Sequence, residues 1–322
     1  NIAEDELLIY GSLGTGTWLT QETKTRASSS YMLNLTVLPN TDGVSRTAYI
    51  YFVKVTDMES IVVEMVTIIQ RGEVASETTD YSSDKKVRVL QTAKLGKGLP
   101  IVLMGDGFID TEINDGTYDA VMDKAFENLF TEEPIKSLRD YFNVYAVTAV
   151  SKHNIFGTGY ETALGCELAG GNSTGISGED NAVQRYVQCV DNIDMSETLA
   201  VVILNSPAYA GTTYFGYTNQ TKVVEFAIAY CPVIYDLQSE SFRQVLVHEA
   251  VGHGFAKLED EYAYQENGTI SSKEIKNVQY LQTLGWAQNV DFTSDPSQVL
   301  WSAFLNDNRY VSEKLGVFEG AC

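Results

Sequence analysis

Val245-Leu246-Val247-His248-Glu249-Ala250-Val251-Gly252-His253-Gly254 places two of the chain's three histidines five residues apart, with a glutamate directly after the first. The third histidine, His153, lies far away in sequence. Apolar residues surround the group at helical spacing: Phe242, Val245, Leu246, Val247, Ala250, Val251 and Phe255. This pattern predicts one long helix over residues 239–257. A helix so apolar is buried, and polar side chains kept inside carry a desolvation cost.

Two imidazoles and a carboxylate are the materials of a zinc site with its own general base. Zinc takes nitrogen and carboxylate ligands in a tetrahedral set, and a catalytic zinc keeps one position open. On a regular α-helix, residues four apart are offset by about 40°, so a His pair at that spacing can share one ion. His248 and His253 are five apart, which rotates them by about 140°. A π-bulge absorbs one extra residue, and Gly252 eases such a distortion. The spacing therefore predicts a widened turn between Glu249 and His253.

Glu249 is then the candidate catalytic base. A carboxylate beside a metal-activated water takes its proton, while the metal polarises a carbonyl. A third metal ligand has to come from nearby, and Leu258-Glu259-Asp260-Glu261-Tyr262 offers three carboxylates. On a straight helix Asp260 would lie about 10 Å along the axis from His253, so the chain has to bend after about Ala256. The residues themselves leave Glu259, Asp260 and Glu261 open. Tyr262 is a candidate donor to a developing oxyanion.

The rest of the chain narrows the class. Its 322 residues, 44% hydrophobic, are enough for one large or two ordinary domains with a sizeable core. A formal net charge of −21 argues against nucleic acid or an anionic membrane as the main partner. No run of about 18 apolar residues predicts a transmembrane segment. The sequence starts at Asn1 rather than Met, which reads as a processed or trimmed product from which any export signal is already gone. Cys166, Cys189, Cys231 and Cys322 form no C-x-x-C pair, so a cysteine metal cage or redox motif is not expected. A Cys166–Cys189 bridge and buried free thiols both stay open.

Periodicity divides the chain in two. Alternating β-branched and aromatic runs at 29–39, 46–55 and 60–70, separated by turn signals such as Pro39-Asn40-Thr41-Asp42-Gly43, predict a β-sandwich. A polar stretch at 73–84 reads as a linker. Beyond it, strand patterns at 87–90, 99–104, 142–150, 199–204 and 223–228 alternate with helical ones at 118–130, 182–190 and 239–257, the mark of an α/β domain. Residues 160–180 and 205–222 read as loops. The expected fold is multidomain: an N-terminal all-β sandwich over residues 1–78, then an α/β domain over 79–322.

Several other residues read as structural. Asp106, between two glycines, is expected to shape a turn, and His153 to be a solvated loop residue. No G-x-S-x-G nucleophile elbow occurs. Gly178-Glu179-Asp180-Asn181 lacks calcium-loop spacing.

His248-Glu249-x-x-Gly252-His253-Gly254-Phe255-Ala256-x-Leu258-x-Asp260-Glu261-Tyr262 resembles the active-site segment of the IgA-peptidase family of zinc metallopeptidases. The resemblance extends to Leu99–Phe108 with its Gly-Asp-Gly-aromatic turn, to Tyr141–Val147 with Ser151, and to Gly316–Ala321, and so covers roughly residues 85–322. It implies a zincin-like domain with His248, His253 and Asp260 on Zn2+ and Glu249 as general base. It also implies a chain that runs on past Cys322 into a Met-containing turn. The usual form is His-Glu-x-x-His. The longer form here resembles the dipeptidyl peptidase III family, whose third ligand is a glutamate on a later helix. Asp260-Glu261-Tyr262 favours the IgA-peptidase side.

Trp18-Leu19, residues 33–40 and 46–50, and Val66–Gly72 resemble a BACON-type β-sandwich module. Such modules occur in secreted Bacteroidetes proteins, and the resemblance implies glycan or mucin binding, with a structural spacer as the plainer role. The expected function is a secreted or surface-attached zinc peptidase acting on a protein or peptide substrate, in an extracellular, periplasmic or cell-surface setting. The alternative is a non-catalytic surface protein that binds glycan or protein and retains a peptidase fold. A dipeptidyl exopeptidase would need a longer chain.

Overall fold

The computed structural model describes residues 7–12, 19–27, 30–37, 46–55, 60–70, 76–168, 175–215, 226–260, 270–312 and 315–318. The chain divides into two compact units, Asn1–Ala75 and Ser76–Cys322.

In the first unit the regular elements among the described residues are all strands: β1 (Leu7–Ser12), β2 (Leu19–Ala27), β3 (Ser30–Val37), β4 (Arg46–Val55) and β5 (Ser60–Gln70). They form an antiparallel β1-β4-β5 sheet and an antiparallel β2-β3 pair. The last three coincide with the alternating runs seen in the sequence. β1 opens on a continuous apolar run, Leu7-Leu8-Ile9-Tyr10, and β2 is mostly polar, so neither carries a comparable alternation.

The second unit is built on a six-stranded mixed sheet in the order β12-β13-β11-β7-β8-β6. The strands are β6 (Val87–Gln91), β7 (Leu99–Asp106), β8 (Phe142–Val147), β11 (Leu199–Leu204), β12 (Thr212–Phe215) and β13 (Ala227–Pro232). The central four run parallel, and β6 and β12 are antiparallel edges. β11 and β13 are buried at every position, because helices and loops cover both faces of a parallel sheet. The strand expected at 223–228 lies later, at β13; residues 223–225 fall outside the described residues.

One face carries α2 (Thr117–Leu129) and the segment running from α4 (Glu240–Val245) into the residues that follow it, packed on Leu103, Val144, Val201 and Ala229. The other face carries α3 (Asp180–Val187), packed on Val102, Val202 and Ile228. The short pair β9 (Glu167–Leu168) and β10 (Ile176–Ser177) lies where the sequence suggested only loop. α1 (Asp110–Asn114), α5 (Ser272–Thr283) and α6 (Ser302–Leu305) are the remaining α-helices among the described residues.

The start of the unit is tied down by hydrogen bonds. Thr78 N–H donates to Lys152 O and its hydroxyl to Ser151 O. Thr79, through N–H and hydroxyl, and the Asp80 N–H all donate to one oxygen of Asp110. The later part of the polar stretch read as a linker, 76–84, is therefore bonded in; Glu73–Ala75 lie outside the described residues.

Candidate metal centre

The helix bearing the histidines starts at a defined cap: Ser239 Oγ accepts from Phe242 N–H. After Val245 the hydrogen-bonding pattern widens, and Leu246–Phe255 is a ten-residue π-helix. The widening is longer than the local bulge expected at 250–252. Its bonds run between residues five apart, so residues five apart come onto one face. His248 and His253 thereby stand together, their rings edge to face with centroids 4.6 Å apart. Of the two glycines in this stretch, Gly254 is the more closely packed. A Cβ on Gly254 would come within 2.6 Å of Leu199 on β11, whereas on Gly252 it would meet only Val247 O at 3.7 Å.

The bend falls where chain length demanded it. Ala256 N–H donates back to Val251 O and Leu258 N–H to Gly252 O, while Lys257 adopts a left-handed conformation with φ 54°. A left-handed residue just past the last turn is the usual way a helix stops and reverses. The Lys257 ammonium donates to Gly254 O and lies 5.7 Å from the Phe215 ring. Beyond the turn, Asn289 holds Glu259 from both sides, accepting from its N–H and donating to its C=O.

This path brings Asp260 to the histidines. His248 Nε2 and His253 Nε2 are 3.1 Å apart, and Asp260 Oδ1 lies 3.2 Å and 3.1 Å from them. Among the described residues this is the group of His, Cys, Asp or Glu that could hold a metal. Glu259 is not part of it, and Glu261 and Tyr262 lie outside the described residues. His253 Nδ1 lies 2.6 Å from the Leu258 carbonyl, which can only accept, so Nδ1 carries the proton and Nε2 presents a lone pair to the cluster.

The donor set fits a small ion. Tetrahedral ligands about 2.0–2.1 Å from zinc are separated by roughly 3.3 Å. The three edges of this triangle are close to that length, and two nitrogens with one carboxylate oxygen are ligands zinc takes.

Glu249 sits beside the cluster and is only 6% exposed. Burial pushes its carboxyl above the usual glutamate value; the Thr213 hydroxyl and the two nearby imidazoles act in the opposite direction. The Thr213 hydroxyl lies 2.8 Å from Glu249 Oε2 and 2.9 Å from the Glu249 carbonyl oxygen. Thr213 and the neighbouring Gly211 belong to a stretch that read as loop. The β-branched and aromatic run Thr212-Thr213-Tyr214-Phe215 was the available signal for β12.

The residues outside the cluster have other work. Asp106 is fully buried, and its carboxylate accepts from the Ser151 and Thr162 hydroxyls and from Leu164 and Cys166 N–H. It pins a loop some sixty residues away rather than shaping a local turn. His153 Nδ1 accepts from Glu161 N–H, away from the cluster. Cys166, Cys189 and Cys231 are free thiols, so the Cys166–Cys189 bridge is not formed; Cys322 lies outside the described residues.

A cation-sized triangle of donors beside a buried carboxylate has the make-up of a hydrolase centre. Comparison with known families makes the class specific. The chain belongs to the IgA Peptidase M64 family, which matches residues 87–314, and it is therefore a peptidase by family. Residues 10–71 match the BACON family, described as "Putative binding domain, N-terminal". No curated protein matches the chain significantly. No helix among the described residues is long and apolar enough to cross a membrane.

Proposed function

We propose that the chain is a zinc-dependent peptidase in which His248, His253 and Asp260 hold Zn2+ and Glu249 is the general base. The observation that carries this reading is the triangle of His248 Nε2, His253 Nε2 and Asp260 Oδ1, with edges of 3.1–3.2 Å. Membership of a peptidase family supports it.

Bound zinc would supply an acidified water and a polarised peptide carbonyl. The chain's own residues do the rest. His253 is locked in one tautomer by Leu258, so its lone pair needs no rearrangement to bind. Glu249, buried and raised in basicity, takes a proton from the attacking water and returns it to the leaving amine. His248 and Asp260 are both partly exposed, and among the described residues this leaves a side from which a peptide can approach.

The first unit, by its BACON match, serves binding; glycan or mucin is the ligand class we assign to it, on a β-sandwich. The setting that suits both units is outside the cytoplasm, secreted or on the cell surface.

Metal analysis with two variants tests the catalytic reading. One equivalent of zinc that is lost in H253A, together with peptide hydrolysis abolished in E249Q at full zinc content, is the expected result. Zinc that neither copurifies nor raises thermal stability on addition overturns it. If zinc binds but E249Q cleaves dye-labelled casein as fast as the unmodified chain, the base is misassigned. If no variant and no unmodified chain cleaves, a non-catalytic binding protein is what remains.

A further inference from the structure

We infer that Thr213 is a positioning residue for Glu249: its hydroxyl holds the carboxylate in the one orientation from which it can serve as base. The inference rests on the assignment of Glu249 above and adds an edge-strand residue to it.

Thr213 lies on β12 at the sheet edge, opposite Ala229 of β13. Its hydroxyl carries one proton and faces two acceptors of the same residue, Glu249 Oε2 at 2.8 Å and the Glu249 carbonyl oxygen at 2.9 Å. A single group thus fixes the side-chain rotamer of the base and the backbone carbonyl of the π-helix turn that carries it. Sharing one proton between side chain and backbone ties the two positions together.

The clamp has a second jaw. A Cβ on Gly211 would come within 2.5 Å of Glu249 Oε1 and 2.8 Å of Glu249 Cγ, so the start of this segment already lies against the other carboxylate oxygen. Glu249 is held between a hydroxyl on Oε2 and bare backbone beside Oε1.

Thr213 is itself rigidly placed. Neighbouring Thr212 Oγ1 accepts from Ile176 N–H, and the Tyr214 hydroxyl donates to Ile176 O, so β10 braces β12 on both sides of Thr213. A base that swings freely loses rate steeply, since misplacement by about 1 Å can cost on the order of 100-fold.

The test compares T213S with T213A, which remove the same methyl group and differ only in the hydroxyl. Both are assayed on a fluorogenic peptide chosen from casein cleavage sites, with zinc content and thermal midpoint measured alongside. T213S is expected to keep kcat within about threefold of the unmodified chain. T213A is expected to lose about 10- to 100-fold in kcat, with KM and zinc content matching those of T213S. Equal kcat in the two variants overturns the inference. So does a T213A that folds but loses zinc where T213S does not, because Thr213 would then be structural. If T213A cannot be produced folded, T213V supplies the hydroxyl-free member of the pair. An inactive unmodified chain instead sinks the zinc-peptidase assignment, and an active E249Q the role of Glu249; both differ from a null difference between T213S and T213A.

Discussion

Asp106 and Glu249 are both carboxylates buried in the second unit, yet they are treated in opposite ways. Asp106, at the end of β7, is surrounded by donors: two hydroxyls and two backbone N–H groups, with both oxygens served twice. Glu249, on the π-helix, has one hydroxyl among the described residues and two imidazoles close by. A buried carboxylate with four donors stabilises structure, because every lone pair removed from water is replaced. One that is under-served keeps reactivity in reserve, as functional sites commonly do. The contrast separates architecture from chemistry within one unit.

Neutralising each carboxylate in turn should give opposite results. E249Q is expected to lower kcat by about 10²–10⁴-fold, the usual worth of a general base. Its thermal midpoint should hold or rise, since a poorly solvated charge has been removed. D106N should do the reverse. The amide NH2 would face a backbone N–H at either position, and unfolding in urea should show a loss of about 2–4 kcal/mol. A D106N variant that folds as well as the unmodified chain would undo the contrast.

H253A should remove the stabilisation that zinc confers, about 2.7 kcal/mol at a hundredfold excess over Kd, read as a lost shift in the thermal midpoint on adding zinc. The smallest effect concerns Asp110. The Thr79 N–H, with further help from Asp80, the Thr79 hydroxyl and Thr111, holds its carboxyl below the ordinary value of 3.8. A lowered folded value means that this contribution is complete above pH 3.8 and fades as pH falls through the folded value. Urea melts at pH 5 and pH 3 should therefore diverge less in D110N than in the unmodified chain.

How much of this was written in the sequence depends on the range of the interactions. The central strands were legible because a parallel strand buried on both faces is a continuous apolar run, as in Leu199–Leu204. The chain's need for a widened helix and a bend before Asp260 followed from counting residues per turn. The extent of the π-helix did not, since counting residues per turn asks for one extra residue and not for ten residues of widened bonding. Thr213 was missed for a related reason. It sits 36 residues before Glu249 on a four-residue edge strand, and only the sheet order brings the two together. The four partners of Asp106 lie 45 to 60 residues ahead, and no local pattern announces them.

The proposed metal site depends on the π-helix, which brings histidines five residues apart onto one face. Crystals of the zinc-loaded chain, measured above and below the zinc absorption edge, test it directly. One strong anomalous peak is expected, bounded by His248 Nε2, His253 Nε2 and Asp260 Oδ1. A zinc-loaded crystal with no peak there, or with its zinc held by other residues, would contradict it.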